Sequence, residues 1–451
     1  MSDARGLLRL TLLLGCLSTP LFAAGEPALR VERTAGSGGV VMHWGSDALL
    51  DPLGLGQSGV IRLSPALSRQ VEERLRATEE LGGPLAEEGL SVARVQALRH
   101  QFEGEPADAA LRESAPETWL GLRLLHSRFL ALVAFRLADA ELMDEVIGRL
   151  RADRSLRAKS DPASMGEALH LSAFAHRVRG EATSPASLRE ADQEVAAALR
   201  ITSPDRQRAL WAGLRHLQGR IGLELARMEG RMALLDEAVA AFEEGLGVAD
   251  AGLPAQRALI LGDLGQALLE KGWQLQDGAV LQRGQAVMEE ALALHGALPL
   301  ARARDQQRLG QLLVVRSELE GDPSLAEQGV TRLYQVLEVV DREQHALWWS
   351  QVTQWLARGL IARSPTDMAR LQEAFELAQK AEVVPQLEAW PLRQADCRLV
   401  QGLARLRQAQ VEKSAERYRE AREIFQAADG FYAMRLAEWS RERLQRLATK
   451  D

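Results

Sequence analysis

One spacing constrains what this chain can fold into. A small residue followed four positions later by a second packing residue recurs as Ala191/Val195, Ala238/Phe242, Gly284/Met288, Gly329/Leu333, Ala374/Ala378 and Ala421/Phe425. The small members lie 47, 46, 45, 45 and 47 residues apart, and Val146/Leu150 is a looser, earlier copy. Four residues is just over one helical turn, so each pair shares a helix face. The stretch Leu235–Leu246 shows the pattern best. Its positions 235, 238, 239, 242, 245 and 246 are apolar or small, while Asp236, Glu237, Glu243 and Glu244 fall on the opposite side. Each copy is preceded by a second amphipathic stretch with its own small residue: Ile221-Gly222-x-x-Leu225, Leu264-Gly265-x-x-Leu268, Leu309-Gly310-x-x-Leu313 and Leu356-Ala357-x-x-Leu360. Breakers separate the two within a unit, as at Gly321-Asp-Pro323 and Ser364-Pro-Thr-Asp367. Others separate the units, as at Ser203-Pro204 and Gly252-Leu-Pro254. The unit is a helical hairpin, with six good copies and a degenerate first one. A single hairpin cannot bury its apolar face alone, so the pattern predicts an all-α stack with one continuous core.

Leu-Gly-x-x-bulky in one helix, then Ala-x-x-x-Phe in the next, resembles the tetratricopeptide repeat over about residues 160–437. The resemblance implies a right-handed superhelical solenoid whose concave surface holds a protein or peptide partner. It also implies that first-helix residues line that surface, which from the Leu-Gly registers means His216, Arg227, Gln266, Glu270, Arg304, Gln307 and Gln311. The sequence departs from the family in a period of 45–47 rather than about 34 residues, in a first-helix tryptophan that is absent or shifted, and in mostly lacking the proline that ends each repeat.

The flanks read differently. Arg5 and Arg9 precede an apolar run from Leu10 to Phe22 and then Ala23-Ala24-Gly25, the order of a secretory signal peptide over 1–24. Export to the periplasm or cell envelope of a bacterium is the expectation. Leu13-Leu14-Gly15-Cys16 offers the alternative of a lipoprotein anchored through Cys16. Residues 26–64 alternate like short strands at 28–33, 39–44 and 59–63, so a small β-containing segment is expected ahead of a helical connector and linker at 65–118. The repeats are expected over 119–437. The amphipathic stretch 431–451 reads as a C-terminal capping helix, because a terminal repeat has no neighbour to cover it.

Chemistry-bearing motifs are sparse. The net charge of −7 disfavours nucleic acid, which calls for a basic stripe. The chain has no asparagine, and five lysines stand against 50 arginines, a bias that GC-rich coding explains without a function. Gly54-x-Gly56-x-x-Gly59 follows Asp51-Pro52 and precedes the strand-like Val60–Leu63, the reverse of a dinucleotide site. The eight histidines are scattered, and Cys397, alone after signal removal, reads as a small buried hydrophobe. Tryptophans such as Trp348, Trp349, Trp355 and Trp390 fit core filling first and a stacking platform second. The expectation is therefore a non-enzymatic exported scaffold or adaptor for a protein or peptide. No catalytic residue, metal, cofactor, nucleic acid or membrane span of the mature chain is expected. Two alternatives stand beside it: a structural subunit of a secretion or pilus-type assembly, or an N-terminal catalytic or ligand-binding segment around His43, Ser46 and Asp47 regulated by the repeats.

Overall fold

A computed structural model describes residues 29–33, 40–44, seven positions within 70–80, 92–102, and 116–434 apart from short gaps between helices. Near the start, β1 (Leu29–Arg33) pairs antiparallel with β2 (Val40–Trp44), Leu29 opposite Trp44 and Arg33 opposite Val40. The rest of 26–64, with Ser46, Asp47 and the expected strand at 59–63, lies outside the described residues, as do the signal segment and 435–451.

From Val92 onward every described element is a helix. α1 (Val92–Gln101) precedes α2 (Pro116–Leu137) and α3 (Ala140–Ser160). Six hairpins follow: α4 (Pro162–Thr183) with α5 (Pro185–Ile201), α6 (Arg208–Glu229) with α7 (Met232–Val248), and α8 (Pro254–Leu275) with α9 (Gly278–Leu294). Then come α10 (Pro299–Glu320) with α11 (Pro323–Leu337), α12 (Ala346–Arg363) with α13 (Met368–Glu382), and α14 (Pro391–Glu412) with α15 (Ala415–Met434). Sequential neighbours pack on each other from α2 through α5 and again from α9 through α15. First helices also meet directly, α10 on α12 and α12 on α14. This consecutive packing is that of a helical repeat array. The chain divides into two compact units. One holds Thr19–Gly222 with Ala240–Ile260, the other Leu223–Val239 with Leu261–Asp451, each in its described parts.

The long period has a plain origin. First helices α4, α6, α8, α10 and α14 each run 22 residues, about 33 Å, whereas second helices α5, α7, α9, α11 and α13 run only 15 to 17. Proline opens α2, α4, α5, α8, α10, α11 and α14, where its missing N–H costs nothing and its fixed φ suits the first helical position. Acidic caps hold several second helices. Asp322 accepts from Ser324 N at 2.9 Å, and Asp367 from Ala369 N at 3.0 Å and Arg370 N at 3.2 Å. First helices end on a left-handed residue at Gly230, Gln276, Gly321 and Lys413. Only the two glycines take that conformation without steric cost, so the same turn is hidden in sequence at the other two.

The small positions 191, 238, 284, 329, 374 and 421 are all buried. Their purpose is close approach. A Cβ on Gly329 would lie 2.8 Å from the carbonyl oxygen of Gly310, so these two backbones touch. The bulky residue one turn later fills the space opposite a first-helix glycine. A Cβ on Gly219 or Gly402 would come 2.5 Å from the ring of Phe242 or Phe425, and one on Gly310 2.9 Å from Leu333. In each case the partner is 23 residues on. This corrects one register: Gly219, not Gly222, is the packing glycine of α6, and Gly222 is only half-buried. Gly329→Ala should therefore destabilise by about 1–3 kcal/mol, because backbone rather than a flexible side-chain end must give way. Chemical denaturation will show it, and an unchanged midpoint would mean the helices stand further apart than this.

α15 runs through Gly430, where a separate cap was expected to begin. No described helix is long and apolar enough to cross a membrane.

Candidate functional site

In the second unit lie α8 from Leu261 onward, α10 and α12, first helices of successive hairpins. Most of their residues are buried between neighbours. Accessible positions lie along each of them, among them Gln266, Glu270 and Trp273 on α8, Glu318 on α10 and Trp355 on α12, and three of the expected surface residues meet at the α8 part of this set. Arg227, on the last turn of α6, donates to Glu270 Oε1 at 3.3 Å. Gln266, one turn before Glu270 on α8, donates to the same oxygen at 3.1 Å. All three are half-buried, so they form a polar link between first helices that solvent still reaches.

The other four expected positions are corrected by their burial. His216 is buried against the Phe242 ring, centroids 5.8 Å apart. Arg304 lies buried over the Trp348 ring at 5.3 Å, and Gln307 accepts from Trp348 Nε1 at 2.5 Å. Gln311 is buried as well, and its Nε2 has no hydrogen-bond partner among the described residues. Arg304 and Gln307 thus grip a core tryptophan from the next hairpin rather than facing outward. The reason is geometric. A first helix is flanked on several sides, so equal polarity in sequence covers both helix-facing and open positions.

Sequence reasoning missed the larger feature of this set. Trp273, one turn beyond Glu270, meets Trp355 of α12 edge to face with ring centroids 6.1 Å apart. The Arg358 guanidinium lies over both rings, 4.5 Å from the centroid of Trp273 and 4.9 Å from that of Trp355. Glu318, at the end of α10, holds that guanidinium through both oxygens, at 2.7 and 2.5 Å. Arg358 is fully withdrawn, its side chain 2% exposed, whereas that of Glu318 is 29% exposed and both tryptophans are half-buried. Three first helices therefore share one aromatic and ionic cluster that solvent partly reaches. Trp273 was in reach of the sequence, since it continues the Gln266–Glu270 stripe by one more turn.

Elsewhere, burial holds His126, His170 and Cys397 in their neutral forms. Burial, reinforced by the Arg74, Arg149 and Arg123 charges, lowers the His126 imidazole to about 3. Burial beside Arg128 and His216 does the same for His170. Burial pushes the Cys397 thiol well above its ordinary range, which suits a packing residue and not a nucleophile. Among the described residues no group of three or more His, Cys, Asp or Glu could hold a metal ion. Set against models of known protein families and against curated proteins, the chain matches none.

Proposed function

We propose that this chain is a non-enzymatic scaffold or adaptor that holds a protein or peptide partner on the first-helix face of its repeats. The observation that carries the reading is the accessible set on α6, α8, α10 and α12. Arg227, Gln266, Glu270, Trp273, Glu318 and Trp355 remain reachable on helices whose other positions are mostly buried. Tryptophan and arginine are the side chains that dominate recognition energetics, and here they stay partly accessible to solvent. Finer features belong to the same proposal. The repeats are tetratricopeptide-like and wind right-handed, a small β-containing segment precedes them, and residues 1–24 direct export to a bacterial envelope. A catalytic role for the segment around His43 has no supporting observation.

The test is capture. Full-length protein immobilised on resin should retain a reproducible set of envelope proteins, and Arg227→Glu combined with Trp273→Ser should lose them without a change in circular dichroism. Retention of the same set by the folded double variant would overturn the reading.

A further inference from the structure

The first unit seals several histidines in its core. His126 of α2, His170 of α4 and His216 of α6 stand 44 and 46 residues apart (170 minus 126, 216 minus 170), close to the repeat period. All three are buried, as is His176 of α4. Among the described residues the second unit has a single histidine, His345, and it is half-buried.

A sealed imidazole is tolerable while neutral and costly once charged, because the charged form loses most on leaving water. A carboxylate at hand can offset that cost. His176 has one: its Nδ1 lies 3.1 Å from Glu190 Oε2 of α5, and Glu194 acts in the same sense, against burial and the Arg151 and Arg179 charges. The surroundings of the other two are of opposite sign. Arg74, Arg149 of α3 and Arg123 of its own helix bear on His126, and Arg149 and Arg123 are themselves paired with Glu145 and Asp153. Neither ring nitrogen of His126 has a hydrogen-bond partner among the described residues, and the residue is 0% exposed. His170 faces Arg128 of α2 and His216 of α6, while Glu167, one turn before it, is paired with Arg128. A proton on either ring therefore meets burial and like charge together. Because α2 packs on α1, α3 and α4, relief requires these helices to part.

We infer that α2–α4 form an acid-responsive element, which opens in mild acid through His126 and His170 while α10–α15 stay folded. This inference stands apart from the scaffold reading, since it concerns when the first unit is ordered and not what the repeats hold. Its sign follows from burial. Both rings are held at about 3 in the fold, against an ordinary 6.5, so the open form binds the proton first. Order is complete above about pH 6.5 and is lost as pH falls below it. From about pH 7.5 to about pH 5 the opening equilibrium should rise about thirtyfold for each imidazole released.

Hydrogen exchange of the full chain, read by mass spectrometry and corrected for the pH dependence of intrinsic exchange, tests the assignment. Peptides from α2 and α4 should lose protection by about thirtyfold or more over that interval, and those from α10 to α15 by less than about threefold. His126→Leu and His170→Leu should each remove about thirtyfold of the loss in α2–α4. Equal losses in both regions, or an unaltered loss in both variants, overturn the assignment. Should a variant fail to fold, the imidazole resonances of the wild-type chain, assigned by through-bond NMR, take its place. Signals of His126 and His170 that stay unmoved down to about pH 5, beside a loss of protection confined to α2–α4, uphold it. Signals that titrate near about 6.5 in the folded chain sink it.

Discussion

Arg308→Met is expected to cost about 3–5 kcal/mol, the scale on which a buried ion pair is broken from one side. Arg308 of α10 donates through Nη2 to Asp263 of α8 at 2.5 Å and through Nη1 to Asp305, one turn away, at 2.9 Å. The side chains of the two carboxylates are 9% and 3% exposed. Gly262 makes the approach possible, since a Cβ there would sit 2.6 Å from both Arg308 Nη1 and Asp305 Oδ1. Removing the guanidinium takes the Arg308 bonds from two buried carboxylates on adjacent first helices. Replacing all three residues by apolar ones of similar volume should recover most of the loss, because such clusters contribute little net stability over a packed apolar core. Denaturant titration of the single and triple variants decides it. A loss below about 1 kcal/mol for Arg308→Met would show that water reaches these carboxylates after all.

Acid should weaken the first unit through its buried histidines. His126 and His170 are held at about 3 in the folded chain, against an ordinary value of 6.5. Burial is the leading cause for both, with the Arg74, Arg149 and Arg123 charges near His126, and Arg128 and His216 near His170. A depressed folded value means that the unfolded chain binds the proton first. Stability is thus complete above about pH 6.5 and is lost as pH falls from there toward about 3. Between about pH 8 and pH 5 each imidazole should take away about 2 kcal/mol, about 4 for the pair. Carboxylates also titrate in acid, so the comparison is between wild type and a His126→Leu/His170→Leu variant. The variant should lose about 4 kcal/mol less over that interval. An identical loss in both would mean that the two imidazoles titrate in the fold as they do in water.

Residues near each other in sequence announced much of the architecture. Ala238 and Phe242 needed only helical periodicity to be read as packing positions, and both are buried. The 45–47-residue spacing of the small positions followed from the same local logic, because close helix approach demands a missing side chain at one point per hairpin. Register was less secure. Gly222 and Gly219 sit in the same helix three residues apart, and only the ring of Phe242 against Gly219 chooses between them.

The sequence by itself determined the helical hairpins, their repeat length and their buried second-helix faces. These properties rest on interactions within a turn or two of helix, or on a steric need that glycine and alanine state openly. The tertiary structure alone decided which polar first-helix residues remain accessible. Arg227 and Arg304 look alike in sequence, but Arg304 lies buried over Trp348 from the next hairpin while the Arg227 side chain stays 38% exposed. It also decided that Trp273 and Trp355, 82 residues apart (355 minus 273), share one guanidinium with Glu318 between them. No local pattern encodes that meeting. It depends on how far each hairpin is rotated on the last, a quantity fixed by the summed packing of many side chains rather than by any single one.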